Sequence, residues 1–230
     1  MGTFSQPKKT RPRCSPSRDG DPPTRARVLE AACILFAEAG FHGTHVREVS
    51  KRAGANIAGV CYHFRSKEGL YEAVILEANR QLLGLLGQDA EVHNPCLQGP
   101  PEQRLRAIIE LLFKKLSGER VWIAKLLARE LVAPVCGKQV FASYGLEHDH
   151  ILLQGVIREL LGAETDEKGV RLHTLSVVNE CLFYCLAGES INECPSDLFR
   201  RLPDRASLVR HVTQRCLGAL ERECRISRAT

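Results

Sequence analysis

The chain predicts an all-α protein, a small helical head at the N-terminal end followed by a larger helical body. Two observations carry this. Apolar residues recur at three- and four-residue spacing in segment after segment, and Gly or Pro stands between the segments. No stretch alternates apolar and polar residues between turn signals, as a half-buried strand would. A length of 230 residues fits a small unit joined to a larger one. The 44% hydrophobic and 26% charged residues leave ample apolar surface for a core.

Residues 1–23 hold Lys8, Lys9, Arg11, Arg13 and Arg18 among prolines and hydroxyl residues, with almost nothing apolar after Phe4. This reads as a disordered basic arm, either a solvated tail or an added contact to a polyanion. From Thr24, the residues Val28, Ala32, Leu35, Phe36 and Ala39 recur at helical spacing, and Gly40 supplies a stop. Thr44 is expected to cap a second helix, with Val46 and Val49 inward and Gly54 at its end. Asn56 caps a third, IAGVCYHF, whose Ile57, Val60, Cys61 and Phe64 form one apolar face while Ala58, Gly59, Tyr62 and His63 form the other. Two short helices joined by a glycine turn and resting on a longer one form a helix-turn-helix, whose last helix suits a DNA major groove. Ser66 caps a fourth helix running to about Leu86, and residues 88–101 read as a loop. Further helices are expected over Glu102–Leu116, Glu119–Val132, Lys138–Leu161, Asp166–Ala187 and Pro203–Cys224.

Charge separates the two regions. Residues 1–70 carry 12 Lys and Arg against 6 Asp and Glu, while residues 71–230 carry 20 against 21. An anionic partner is therefore expected at the N-terminal third, nucleic acid before a membrane surface. No apolar run approaches the length of a membrane span, and no secretory pattern follows Met1. A cytoplasmic location is expected, with the ten cysteines reduced. P-loop, GxSxG, HExxH and GxGxxG motifs are all missing, so no catalytic residue and no cofactor is expected. Cysteines nowhere form CxxC pairs. His148 and His150 flank Asp149 at a spacing that points them to different sides of a helix. No metal site is expected.

The segments LEAACILFAEAGFHGT, VREVSKRAG and YHFRSKEGLY, in this order over residues 24–71, resemble the DNA-binding domain of the TetR family of bacterial regulators. WIAKLLARELVAP and TLSVVNECLFYCLAG look like the C-terminal domain of a CerR-like subgroup. The resemblance implies a homodimer that reads a palindromic operator in double-stranded DNA and answers to a small-molecule effector. It divides the chain into the arm (1–23), a DNA-binding domain (24–71) and a dimerisation and effector-binding domain (72–230). By motif position, Thr44 and Lys67 hold phosphates, and Arg25, Arg47, Asn56, Ala58, Gly59, Tyr62 and His63 face the groove or its walls. Cys61 stands where many members carry Tyr, which leaves that phosphate contact to Tyr62. Ile57 either packs inward or meets a thymine methyl.

An effector pocket is expected around Trp122, Leu126 and Arg129 on one helix and Cys181, Phe183 and Tyr184 on another. Arg129 and Glu130 are adjacent, so only one of them is expected to look into it. Leu175, Val178, Leu182 and Cys185 form one stripe and Leu208, Val212, Cys216 and Leu220 a second. Packed against a two-fold copy, the two would make a four-helix dimer interface. The function expected is a repressor released by a small molecule. The alternatives are a thiol- or metal-responsive regulator with the same head, or an enzyme.

Overall fold

The computed structural model describes residues 23–83, 98–135, 146–162, 166–190 and 202–229. The expected basic arm up to residue 22, the expected end of the fourth helix at 84–86, the expected loop from 88 to 97 and the expected helix start at 138–145 lie outside these residues. Among the described residues every regular element is helical. The order is α1 (Thr24–Gly43), α2 (Val46–Arg52), α3 (Ile57–Phe64), α4 (Lys67–Leu83), α5 (Pro101–Leu116), a single 3₁₀ turn (Gly118–Arg120), α6 (Val121–Val132), α7 (Leu146–Leu161), α8 (Glu167–Ser190) and α9 (Arg205–Ala229).

In the head, α1 turns Val28, Ala32, Phe36 and their neighbours toward α2, α3 and α4. Gly40 takes φ of 73° inside α1, a left-handed conformation that costs a glycine little and kinks the helix three residues before its end. The kink lays Phe41 against the ring of Tyr71 at 5.3 Å, and Phe36 meets the same ring edge-on at 4.9 Å. These aromatic contacts each add about 0.5–1.5 kcal/mol beyond the area they bury.

In the body, α5 is the central helix and packs on α7, α8 and α9. Its Leu105, Ile108, Ile109, Leu112 and Leu116 are all buried, following the i, i+3, i+4, i+7 pattern. Each contributes about 1.5–3 kcal/mol through burial. Lys115 lies on the same helix and is also fully buried, paired with Asp149 of α7 at 2.6 Å. Asp149 is thus engaged by a lysine. A pair this deep gives little net stability but fixes how α5 and α7 register, because losing one partner strands the other charge.

The structure corrects the stripe reading of α8 and α9. Leu182 and Cys185 on α8, and Leu208, Val212, Cys216 and Leu220 on α9, are all at most 8% exposed within a single chain. They are core, not contact surface, because α9 lies between α5, α7 and α8 and is covered by three neighbours. Val178 is half-buried. The apolar residues that α8 leaves open are Leu172, Leu175 and Phe183, at 57%, 55% and 53% exposure. Leu175 alone carries over from the predicted stripe.

Candidate nucleic-acid interface

The helix-turn-helix is assembled by local bonds. Ser50 of α2 donates its hydroxyl to the Ala55 carbonyl at 2.6 Å, and Ala55 N–H donates back to the Ser50 carbonyl at 3.0 Å. Between them Gly54 turns with φ of 59°. The Asn56 side chain accepts from Ala58 N–H at 3.0 Å and starts α3. Val49, Val60 and Phe64 are buried beneath, so α3 is clamped by its inner face. At its far end Ser66 accepts from Gly69 N–H at 3.1 Å and starts α4. A Cβ on Gly69 would come within 2.4 Å of the Phe64 carbonyl, so only glycine lets α4 begin this close to α3.

What α3 turns outward is small, aromatic and polar. Ala58, Cys61, Tyr62 and His63 are exposed, Tyr62 to 83%, and the Tyr62 and His63 rings meet edge-on at 5.2 Å. Ile57 is 41% exposed, which resolves its two readings toward the outer face. Arg47, Lys51 and Arg52 of α2 are exposed beside it, as is Arg65, whose φ of 65° swings the chain sharply off α3. Gly59 is half-buried, and a Cβ there would lie 3.8 Å from Thr24 Cγ2, so it marks the edge where α3 meets the start of α1. Arg25 places its guanidinium 5.3 Å over the Phe64 ring, and Lys67 places its ammonium 4.6 Å over Phe41. Both cations lie over aromatic faces at the flanks of α3.

Thr44 is a correction. It is buried, and its hydroxyl faces the carbonyls of Leu35 at 3.1 Å and Gly40 at 2.8 Å. It ties the two sides of the α1 kink together and is not presented to a phosphate. The residue preceding α2 is His45, whose N–H donates to the Glu48 carboxylate at 3.3 Å. Sequence reasoning also passed over Arg65 and the Gly69 contact. A glycine in the first turn of a helix was the available signal for the latter.

The residues expected around an effector do not converge on one cavity. Leu126 and Cys181 are fully buried core, and Phe183 points outward from α8 beside Tyr184. Trp122 lines a cleft of about 870 Å³ between α1, α4 and the start of α6. Arg129 lines a smaller cavity of about 190 Å³ at the other end of α6, and Glu130 lines it too. The two adjacent side chains therefore do look into one cavity. Each is drawn there by a different helix of the head: Arg129 donates to the carbonyls of Ala37, at 2.9 Å, and Glu38 on α1, while buried Glu130 accepts from the Tyr71 hydroxyl of α4. Trp122 and Arg129 of α6 thus both lie against α1, while α6 also packs on α8.

The buried thiols are held protonated. Burial pushes Cys33 and Cys185 up to about 12 and Cys216 to about 11, and it raises Cys181 further. Among the described residues no group of three His, Cys, Asp or Glu is placed to hold a metal ion. No described helix is long and apolar enough to cross a membrane.

Residues 28–74 match the model of bacterial regulatory proteins of the tetR family, and residues 101–220 match the C-terminal domain of the HTH-type transcriptional dual regulator CecR. The chain belongs to the TetR family. Its body is CecR-like, which replaces the CerR-like label expected from the two body segments. TetR-family proteins are DNA-binding transcriptional regulators and not enzymes. The chain is 27% identical to the dual regulator CecR of Shigella flexneri over 184 residues, 73% of this chain and 78% of that protein. It is 34% identical to the HTH-type transcriptional regulator YttP of Bacillus subtilis over 89 residues, 39% of this chain and 42% of YttP. The fold is also that of FadR from Bacillus subtilis, solved in complex with stearoyl-CoA, at a TM-score of 0.55 and 18% identity over 84% of this chain and 97% of FadR.

Proposed function

We propose that this TetR-family regulator is a cytoplasmic repressor that binds a palindromic operator as a homodimer and is released by a small organic effector. The observation that carries the reading is the division of labour on α3: its apolar face is locked into the head, and its open face is flanked by Arg47, Lys51, Arg52 and Arg65. A helix held this way presents base-reading groups without reorganising, and the flanking cations supply the sequence-independent phosphate attraction. Eight residues of helix make few contacts, so a two-fold copy with a second α3 one DNA turn away is the simple route to useful affinity. The exposed apolar row Leu172, Leu175 and Phe183 on α8 supplies the surface for that copy. Release follows if an effector binds one head–body arrangement better than the other, since α1 packs on α6 and Tyr71 of α4 bonds to Glu130 across the two regions.

The test is to sequence DNA fragments retained by the purified protein and look for an inverted repeat with half-sites one helical turn apart. Arg47→Ala is then expected to weaken binding to the selected operator by about 1–3 kcal/mol and to relax one position in each half-site. Equal loss on operator and random DNA would assign Arg47 to the backbone. Recovery of sequences with no inverted repeat would remove the dimeric reading.

A further inference from the structure

We infer that the cleft between α1, α4 and the start of α6 is a binding site for an amphiphilic organic anion, an apolar body carrying one carboxylate or sulfonate. At about 870 Å³ the cleft has the size of small-molecule sites. Its lining divides into an apolar part and charges. Leu29, Ile34 and Trp122 provide the former. Of the charges, Glu77 is already taken, by Arg80 at 2.6 Å and by Gln81 at 2.9 Å, and those bonds hold its carboxyl below the usual range. Glu30 and Glu119 are exposed, where water solvates them. Arg120 is different: it is half-buried, and its guanidinium makes no hydrogen bond or ion pair among the described residues. The least solvated unpaired charge in the cleft is thus a cation two residues from the indole that lines it. A guanidinium in this position recognises a planar anion through paired N–H donors.

The cleft also reaches the DNA-reading end of the molecule. Arg25 lines its mouth and at the same time covers the ring of Phe64, the last residue of α3. An anion seated on Arg120 attracts Arg25 away from that flank and wedges α1 against α4. Only this consequence rests on the effector reading above; the binding itself does not.

Trp122 is the single tryptophan of the chain, so its emission reports the cleft directly. The probe is 8-anilinonaphthalene-1-sulfonate, and the control is N-phenyl-1-naphthylamine, which has the same rings and no charge. Saturable energy transfer from Trp122 to the sulfonate is expected, at one probe per chain. Arg120→Ala should weaken the sulfonate about tenfold and leave the uncharged control unchanged, with Arg120→Lys in between. Circular dichroism melts of both variants should match the parent, since the side chain is only half-buried. Equal sulfonate affinity in Arg120→Ala, or binding with no change in Trp122 emission, overturns the site. If transfer depends on Arg120 but DNA affinity is unaltered by the probe, the site stands and its coupling to the DNA-reading end through Arg25 falls.

Discussion

Helices α3 and α8 are built by the same rule and serve opposite surroundings. Each turns a row of apolar residues inward: Val60 and Phe64 on α3, Val177, Cys181 and Cys185 on α8. The outer faces differ. On α3 it is Ala58, Tyr62 and His63 beside a set of arginines; on α8 it is Leu172, Leu175 and Phe183. The inner rows set position, and in the proposed reading the outer rows set the partner, a polyanion for one and an apolar surface for the other. Helical periodicity reports both rows on α8 equally well, so it cannot by itself say which one faces the core.

The strongest way to break this comparison is to charge an inner row. Val177→Glu on α8 is expected to cost on the order of 4 kcal/mol or more, because a carboxylate would be stranded in a site 2% exposed. A thermal melt should show loss of the fold and not a folded monomer. Charging the outer row is expected to do the reverse. Leu175→Glu with Phe183→Glu should leave the melt within about 0.5 kcal/mol of the parent. Sedimentation should show monomers at micromolar concentration, with operator affinity falling at least tenfold. A wild-type chain that already sediments as a monomer would sink the α8 surface.

A smaller effect separates structural from contacting residues within the head. Thr44→Val should destabilise the fold by about 1–2 kcal/mol, since two facing carbonyls lose their hydroxyl, and should leave the salt dependence of DNA binding unchanged. Lys67→Ala should do the opposite, keeping the fold and flattening that dependence by about one unit of slope. A flatter slope in Thr44→Val would return that residue to the phosphates.

Much of the fold was legible because helices announce themselves locally. Gly54 and Asn56 are punctuation that physics reads without a partner, and each stands at its expected boundary, whereas Gly40, expected to stop α1, kinks it and the helix runs on to Gly43. α5 begins at Pro101 and ends at Leu116, within one residue of its expected span. The surface of α3 was legible in part: Val60 and Phe64 turn inward and Ala58, Tyr62 and His63 outward as expected, but Ile57 and Cys61 of the expected apolar face are exposed, because eight residues leave room for only two inward anchors. What periodicity could not supply was the identity of the neighbour. Arg129 and Trp122 share a face of α6, yet nothing in the sequence says that this face meets α1 and not an enclosed pocket. Thr44 shows the limit at a single atom: a hydroxyl ahead of a helix suits a cap, a phosphate or a kink equally, and only the approach of the Leu35 and Gly40 carbonyls decides.

Arg129 carries a consequence for how such chains diverge. Helix ends leave carbonyls in want of donors, and those of Ala37 and Glu38, just ahead of the Gly40 kink, are met by a side chain that the body contributes. The fastening of the kink is thus shared between the two regions. A chimera that exchanges residues 24–71 would keep the reading helix but take its donor from another body, so it is expected to need an arginine at the place of Arg129.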